Sequence, residues 1–343
     1  MYASMIVTWV MMFIVNMLYW TLMLMIPSAV CVVIIAYYFN RKVTYCKNFT
    51  RLDGRTVVMT GATSDVGKEA ARQFVSRGCR LVLGCRDVMR GERVAEELQR
   101  GVVGVASIVV LPLDLSCSAS VRTFAQKVIT TEKRLDILAL CHSQAAPRQR
   151  TLVAGGQERT MAANYYGHFL LTNLLFGLIK LTPNSRVIVM VSQIYTLLNT
   201  INLQDLDFIE ETYTPMRAAA LSHVCLVLFT RHFSLLAARH GVVVNCFSPG
   251  FVRTADYDAN TDYITSRCKY WAGFIIGRSG FQGSQTLLFL ATSGEAATGT
   301  GNYFMDCQSR ELSKLATNDG LAQKLFERTE KIVKLEQSER RYI

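Results

Sequence analysis

Beyond residue 55 the chain alternates short, β-branched apolar runs with segments of helical periodicity, and this alternation restricts its possible folds more than any other feature. Thr56–Thr60 is the first apolar run, Lys68–Arg77 follows with helical spacing, and Arg80–Leu83 and Met89–Arg100 repeat the pair. Four further buried strands are predicted, at Ser107–Leu111, Leu135–Cys141, Arg186–Val191 and Val242–Phe247. Such alternation predicts an α/β fold with a doubly wound parallel sheet.

The amino-terminal region is a predicted membrane anchor. The first 40 residues contain no Asp, Glu, Lys or Arg, and Met5 to Tyr38 is almost continuously apolar. Because roughly 20 apolar residues in a helix span a bilayer core, residues 1–40 are expected to be the anchor and to meet lipid through residues 4–38. A secretory signal peptide would begin with positive charge, which is absent here. Pro27 leaves two alternatives, one long kinked span or a re-entrant hairpin.

A basic linker, residues 41–55, follows the anchor. It holds one acid, Asp53, against five positive side chains, namely Arg41, Lys42, Lys47, Arg51 and Arg55. Positive residues beside a span stay on the cytoplasmic side, so the large domain is predicted to face the cytosol. The glycosylation sequon at Asn48 is accordingly interpreted as a chance match.

The overall charge and the cysteines exclude some classes of function. The net charge is +11, but the positive residues are scattered and form no basic stripe with aromatic residues, so nucleic-acid binding is not expected. An anionic membrane surface and an anionic dinucleotide account for the charge more simply. The ten Cys form no CxxC pair and have no His partner at ligand spacing, so reduced thiols are expected and no metal site.

The turn between the first predicted strand and helix reads Thr60–Gly67, TGATSDVG. A glycine-rich turn at this point lets backbone N–H groups and a helix N-terminus face a pyrophosphate. By itself it is equally compatible with an ordinary strand-to-helix turn. The cofactor-binding residues expected from this turn are Gly61, Thr63, Ser64, Asp65, Val66 and Gly67.

Arg86 follows the second predicted strand, where an NAD site would place an acid for the ribose 2′-hydroxyl. Its positive charge suits a 2′-phosphate, so NADP(H) is predicted over NAD(H). Its alternative role is that of a solvated surface side chain.

With Leu113–Ser116 (LDLS) and Ser248–Thr254 (SPGFVRT), these motifs resemble those of the short-chain dehydrogenase/reductase family, from about Leu52 to the C-terminus. The resemblance implies a Rossmann fold in which Asp114 and Leu115 hold the adenine. It also implies that Pro249, Gly250 and Thr254 line the nicotinamide end. The family has Gly where this chain has Asp65, and a carboxylate beside a pyrophosphate predicts weakened cofactor binding.

The resemblance also implies a catalytic site, with general acid–base chemistry carried by Asn, Ser, Tyr and Lys. Met161–Thr172 matches the family helix that supplies the Asn, here Asn164. The Ser position holds Gln193, the Tyr position holds Ala219 and the Lys position holds His223. Three of the four catalytic positions therefore differ from the family pattern.

The C-terminal motifs resemble those of retinol-dehydrogenase-like and polyprenol-dehydrogenase-like members. Gly301–Cys307 matches GxYFxDC, Gly283–Thr286 matches a GAQT helix, and Tyr270–Ile276 falls where the family builds a substrate lid. Both groups are anchored at their N-terminus and act on lipophilic alcohols or aldehydes. The resemblance thus implies a lipophilic small molecule as ligand and the endoplasmic reticulum, or a lipid droplet, as location.

The expected architecture is the anchor and the linker, then a single Rossmann-type domain at 56–307 and a helical tail at 308–343. The favoured function is a catalytically impaired, oxidoreductase-like pseudoenzyme that keeps a dinucleotide-binding fold and acts through cofactor sensing, a protein partner or a homo-oligomer. The alternative is an active NADP-dependent oxidoreductase on a retinoid, polyprenoid or sterol-like alcohol. A membrane tether that binds no nucleotide is the third hypothesis.

Overall fold

The computed structural model describes residues 2–41, 43–102, 104–253 and 277–340. The described residues form eight strands that make one sheet in the order β3-β2-β1-β4-β5-β6-β7-β8, parallel except for the antiparallel pair β7–β8. The strands are Thr56–Thr60 (β1), Arg80–Cys85 (β2), Ile108–Pro112 (β3), Ile137–Leu140 (β4), Arg186–Met190 (β5), Val243–Phe247 (β6), Tyr303–Met305 (β7) and Gln308–Arg310 (β8). The predicted doubly wound α/β fold is confirmed, and the ends of the predicted strands differ from the observed ones by at most two residues.

Helices cover both faces of this sheet. The longer helices among the described residues are Tyr2–Arg41 (α1), Asp65–Ser76 (α2), Val88–Arg100 (α3), Ser118–Thr131 (α4), Gly167–Lys180 (α5), Pro215–Ala238 (α6), Gly280–Thr292 (α7) and Asp319–Ile332 (α8). A single turn, Arg159–Met161, and a π-helical turn, Ala162–Tyr166, lead directly into α5. The strand order reverses between β1 and β4, and in open α/β sheets ligands bind in the crevice at such a point.

Two buried apolar clusters, one on each side of the sheet, hold these layers together. The cluster beneath α5, α6 and α8 is centred on phenylalanine rings: Phe169 lies 5.3 Å from Phe229 and 4.8 Å from Phe326, between ring centroids. Burying each such ring removes enough apolar area from water to stabilise the fold by roughly 1.5–3 kcal/mol. Because strands buried on both faces need apolar side chains throughout, Val57, Val58 and Met59 in β1 are all fully buried.

The anchor region is one continuous helix with Pro27 inside it, so the hairpin alternative is not the structure adopted. At 1.5 Å per residue, α1 is about 60 Å long. Its described side chains, Met5–Ile34, make no contact that buries them against the rest of the protein. Among the described residues α6 is the other helix long and apolar enough to cross a membrane, but most of it lies in the core of the domain.

The sheet continues beyond residue 307, the predicted end of the domain. Strand β8 pairs with β7 across a turn in which both central residues, Asp306 and Cys307, have φ of 56°. Helix α8 then packs on α6. Its Thr329 hydroxyl also lies 2.8 Å from the hydroxyl of Tyr165 in the π-helical turn. The C-terminal segment thus joins the same core.

Candidate active site

The turn between β1 and α2 is as tight as its glycines suggested. Gly61 has φ of 74°, and a Cβ on Gly67 would lie 2.1 Å from the carbonyl oxygen of Gly61. No side chain fits at either position, because a left-handed backbone is needed at one and a close backbone approach at the other. Ser64 caps α2: its Oγ accepts a hydrogen bond from the Gly67 N–H at 3.1 Å and donates to the Gly61 carbonyl at 2.9 Å.

Asp65 is the first residue of α2, and it is exposed. A carboxylate in the first turn of a helix is stabilised by the helix dipole, which explains how an acid is tolerated here without strain. Its backbone lies against α7, since a Cβ on Gly280 would come within 2.4 Å of the Asp65 carbonyl oxygen. The acid stands at the N-terminus of α2, the helix end that is predicted to face a pyrophosphate.

One cavity at the carboxyl edge of the sheet gathers five of the predicted cofactor-binding residues: Gly61, Thr63, Arg86, Asp114 and Leu115. The remainder of its lining is Thr60, Gly84, Cys85, Leu113, His142, Gln144 and Ala163. It lies at the reversal of strand order, between the ends of β1, β2, β3 and β4. This is the crevice where a doubly wound sheet binds a nucleotide.

The two predicted adenosine contacts are held differently. Asp114 Oδ1 accepts hydrogen bonds from the backbone N–H and the hydroxyl of Ser116, at 2.9 and 2.7 Å. The exposed guanidinium of Arg86 donates to Gln144 Oε1 at 3.2 Å. The imidazole of His142 has a pKa lowered to about 4, first by burial and then by the charge of Arg86. The cavity consequently carries the Arg86 charge beside a neutral ring.

The loop after β6 forms the other end of the cleft. Gly250 has φ of 78°, and a Cβ there would lie 2.7 Å from the Arg278 guanidinium. That guanidinium donates to the Pro249 carbonyl at 3.3 Å and pairs with the Asp306 carboxylate at 2.7 Å, both side chains being largely buried. Arg278 thereby ties this loop to the turn after β7. Thr254 and the predicted lid Tyr270–Ile276 lie outside the described residues.

Asn164 sits in the π-helical turn before α5 and is buried. Its Oδ1 accepts a hydrogen bond from the Gln144 N–H at 2.7 Å, and its Nδ2 donates to the Gln144 carbonyl at 3.1 Å. The same Nδ2 lies 3.2 Å from the hydroxyl of Ser222 on α6. Asn164 therefore joins the end of β4 to α6 and satisfies the buried polar groups on both.

Gln193 and Ala219 offer no ionisable group at their positions. The exposed Gln193 amide approaches the Met305 sulfur at 3.2 Å. Ala219 is partly exposed, and its carbonyl accepts the Ser222 hydroxyl at 2.8 Å. The Tyr213 hydroxyl, six residues earlier, donates to the Pro147 carbonyl at 2.8 Å.

His223 is buried and uses both ring nitrogens. The Ser192 N–H donates to Nδ1 at 3.3 Å, so the proton of the neutral ring resides on Nε2, which lies 3.3 Å from the Ser143 hydroxyl. Burial lowers the pKa of His223 to about 4, so the ring is uncharged at neutral pH. It bridges the ends of β4 and β5 and presents no cation.

The comparisons with known proteins agree with this geometry. A family model for short chain dehydrogenases matches residues 55–201. The chain is 34% identical over 298 residues to retinol dehydrogenase 14 of Homo sapiens, covering 83% of this chain and 88% of that protein. It is also 34% identical over 288 residues to retinol dehydrogenase 12 of Bos taurus, covering 82% and 87%. The chain belongs to the short-chain dehydrogenase family. Its similarity is to the retinol-dehydrogenase-like members.

Solved structures share the fold. An uncharacterized protein from Mycobacterium Paratuberculosis superposes with a TM-score of 0.68 at 24% identity, covering 86% of this chain and 98% of that one. RhlG of Pseudomonas aeruginosa, in an NADP active-site complex, gives a TM-score of 0.59 at 20% identity, covering 75% and 95%. The fold of a short-chain dehydrogenase implies a nicotinamide dinucleotide as cofactor, and the membership together with the apolar α1 implies association with a membrane.

Three site residues were not identified from the sequence. His142 and Gln144 line the cofactor cavity, and Ser143 between them is the partner of His223. All three follow β4 directly, and the residues after a parallel strand lie at the ligand-binding edge of the sheet. That position was the available signal.

Proposed function

We propose that this chain is a membrane-anchored, NADP(H)-binding relative of the retinol dehydrogenases whose ordinary proton-transfer step is lost. The observation that carries the proposal is the environment of His223. At the position of the family's Lys stands a neutral ring with both nitrogens bonded, to Ser192 and Ser143. Such a ring supplies no positive charge to lower the pKa of a phenol, and Ala219 supplies no phenol.

The cofactor part of the proposal rests on the cavity between β1 and β4. Gly61 and Gly67 leave the backbone of the turn free to approach a pyrophosphate, and Arg86 at the rim has the charge for a 2′-phosphate. Two features oppose tight binding. Arg86 must leave Gln144 to reach the phosphate, and Asp65 places a carboxylate at the helix N-terminus. We therefore propose NADP(H) over NAD(H), with reduced affinity.

When bound, the nicotinamide supplies or accepts a hydride, and the protein must move one proton. Positioned acid–base groups contribute about 10²–10⁴-fold to such reactions, and groups that act as a unit fail together. Of the four positions, Asn164 alone matches the family, and its amide is engaged by Gln144 and Ser222. The proposal is therefore a protein that binds cofactor and turns over weakly or not at all.

An active oxidoreductase on a lipophilic alcohol or aldehyde is the second candidate. It is favoured by the similarity to retinol dehydrogenases and by one contact. The Nε2–H of His223 points to the exposed hydroxyl of Ser143 at the mouth of the site, a pair able to pass a proton. In this candidate Ser143 replaces the missing phenol.

One experiment separates the two candidates. Full-length protein in detergent is titrated with NADPH and NADH by calorimetry, and then assayed with retinal and a polyprenal. The proposal expects NADPH binding that Arg86→Ala weakens, without turnover above the protein-free rate. Turnover abolished by Ser143→Ala would establish the second candidate instead. Absence of nucleotide binding would contradict both and leave the membrane tether.

We further propose that the domain faces the cytosol from the endoplasmic reticulum or a lipid droplet. The basic residues after α1 support this orientation. In addition, the Asn48 amide nitrogen donates to the Thr292 carbonyl at 2.8 Å, which withdraws the sequon from a glycosylating enzyme. Protease added to intact microsomes should digest the domain, whereas protection, or a sugar on Asn48, would reverse the orientation.

A further inference from the structure

The segment between α1 and β1 is fastened to the domain. We call residues 43–50 the connector; it has neither helix nor strand and lies along α7. Near the start of α7, the hydroxyl of Tyr45 accepts from Gln282 Nε2 at 3.3 Å, and Gln285 Oε1 accepts the Cys46 N–H at 3.2 Å. At the end of α7, Asn48 reaches the carbonyl of Thr292. The connector thus follows α7 from its first turn to its last residue.

The direction of α7 shows where α1 leaves the domain. Helix α7 connects the parallel strands β6 and β7, so it begins at the carboxyl edge of the sheet and ends at the opposite edge. A second contact agrees: the thiol of Cys307, just after β7, lies 3.7 Å from the carbonyl oxygen of Thr44. Helix α1 therefore joins the domain at the edge of the sheet where the cofactor cavity opens.

Exposed aromatic side chains occupy this edge. Tyr45 is 47% exposed, Phe251 47% and Phe281 41%, and the rings of Tyr45 and Phe281 are 6.1 Å apart. The carbonyl of Phe251 accepts the Arg278 N–H at 2.8 Å, and Arg278 follows the predicted lid by two residues in the sequence. Lys47, two residues after Tyr45 on the connector, is also exposed. Aromatic rings with neighbouring cations are the composition of a protein surface that lies in lipid headgroups.

The distance to the bilayer is limited by the chain itself. Tyr45 is four residues after Arg41, the last residue of α1, and that length of chain reaches at most about 14 Å when fully extended. The apolar stretch of the proposed span runs to Tyr38, so the end of that stretch holds Tyr45 near the headgroups. The fastening to α7 then holds Phe281 at the same level.

We propose that Tyr45, Phe251 and Phe281 form a second membrane contact, which rests in the headgroup layer of the bilayer that holds α1. The partner is a lipid surface containing anionic headgroups. This contact turns the mouth of the site towards the membrane, so that an apolar ligand enters without crossing water. The inference relies on the proposed anchoring by α1 and is independent of cofactor binding and turnover.

The test compares three positions in full-length protein reconstituted into vesicles of phosphatidylcholine and phosphatidylserine with brominated acyl chains. An environment-sensitive fluorescent amino acid replaces Phe281, Phe251 or, as the control, Phe49. Phe49 is also a phenylalanine and is 84% exposed. It lies on the connector beyond the other end of α7, where Asn48 bonds to Thr292. Because interfacial side chains sit about 5–10 Å into the boundary layer, about half of the emission should be quenched at Phe281 and Phe251 and almost none at Phe49.

Two further readouts complete the test. Trp9 and Trp20 lie in α1, and their quenching by the same lipids reports insertion of the anchor in each sample. The double change Tyr45→Ser with Phe281→Ser should reduce quenching of a probe at Phe251 at least twofold. Quenched tryptophans with no quenching at Phe281, or equal quenching at Phe49 and Phe281, would overturn the proposed surface. Unquenched tryptophans would overturn the anchoring, and the surface with it.

Discussion

The cofactor half and the catalytic half of the cleft preserve different things. Around the turn between β1 and α2, the preserved feature is the geometry of the backbone, because a side chain at Gly61 or Gly67 would overlap neighbouring backbone atoms. At the ends of β4 and β5, the preserved feature is a framework of hydrogen bonds between Asn164, Ser222 and the backbone of Gln144. In the proposed function, the reactive side chains of that second half are the ones that differ from the family pattern.

The difference teaches that a site's framework and its chemistry can change separately. In the proposed function the family's reactive groups are replaced, and a replacement is compatible with the fold when it leaves no buried polar atom unpaired. His223 meets that condition, because Ser192 and Ser143 satisfy both of its nitrogens. A glycine in the turn has no such substitute, because any Cβ would overlap the backbone.

The largest effect is expected from substitutions that would remove the difference between the cofactor half and the catalytic half. The triple change Gln193→Ser, Ala219→Tyr and His223→Lys restores the family's reactive groups on an intact framework. It should raise the turnover of retinal with NADPH by about 10²-fold or more over the unaltered chain, in the range that acid–base catalysis contributes. Ala219→Tyr alone should do little, because without the Lys the phenol keeps a pKa near ~10. Tight NADPH binding without turnover on any retinoid or polyprenoid would show that the substrate pocket has changed too.

The second prediction tests how Arg278 supports the loop after β6. Arg278→Ala leaves the largely buried carboxylate of Asp306 without its cation, which should lower the free energy of unfolding by about 3–5 kcal/mol. Denaturation in detergent, followed by circular dichroism, measures it. Arg231→Ala is the matched control; its partner Asp319 is 63% exposed, so a loss below about 1 kcal/mol is expected. Equal losses in the two variants would mean that the buried pair does not support the loop.

The third prediction concerns the catalytic half and the dependence of stability on pH. In the folded protein the pKa of His223 is lowered to about 4, against roughly 6.5 in the unfolded chain. Between these values the unfolded chain binds more protons, so stability is complete above pH 6.5 and is lost as the pH falls towards 4. This histidine should remove about 2 kcal/mol between pH 7.5 and pH 5. His223→Gln should abolish that part of the slope. An unchanged slope in this variant would mean that His223 titrates normally.

The smallest expected effect concerns the one departure in the cofactor half. Asp65→Gly and Asp65→Asn both remove the carboxylate, and each should tighten NADPH binding about tenfold at low salt, the size of one screened charge pair. Calorimetry at two salt concentrations checks it, since the gain should shrink at 1 M salt. Glu69→Gln, one turn further along α2, is the control. If the glycine variant alone binds more tightly, the backbone and not the charge is responsible.

Much of the fold could be predicted from the sequence because it depends on local patterns. Strands such as Thr56–Thr60 are short, β-branched and bounded by turns, so their periodicity is visible without tertiary information. The extension of the sheet by β8 was not predicted. Gln308–Arg310 is exposed and lacks an apolar pattern, and it becomes a strand through pairing with β7.

The candidate site was predictable where a motif fixes the backbone and unpredictable where distant groups meet. Five residues of the cofactor cavity came from motifs with set spacing. The bond between His223 and Ser143 joins positions 80 residues apart, and no local pattern encodes it. The same is true of Arg278 with Asp306, whose partnership exists because two loops converge at the carboxyl edge of the sheet.

The π-helical turn Ala162–Tyr166 has a consequence for how this chain can change length. A π turn holds one more residue than an α turn, so it shifts the phase of all that follows by about 100°. That phase brings Asn164 to Gln144 and, three residues on, places Gly167 where a Cβ would lie 2.2 Å from the Leu115 carbonyl oxygen. Deleting one residue in the turn would leave a regular helix but bring a bulky neighbour against Leu115. The residue count of this segment is therefore held constant by packing on both sides.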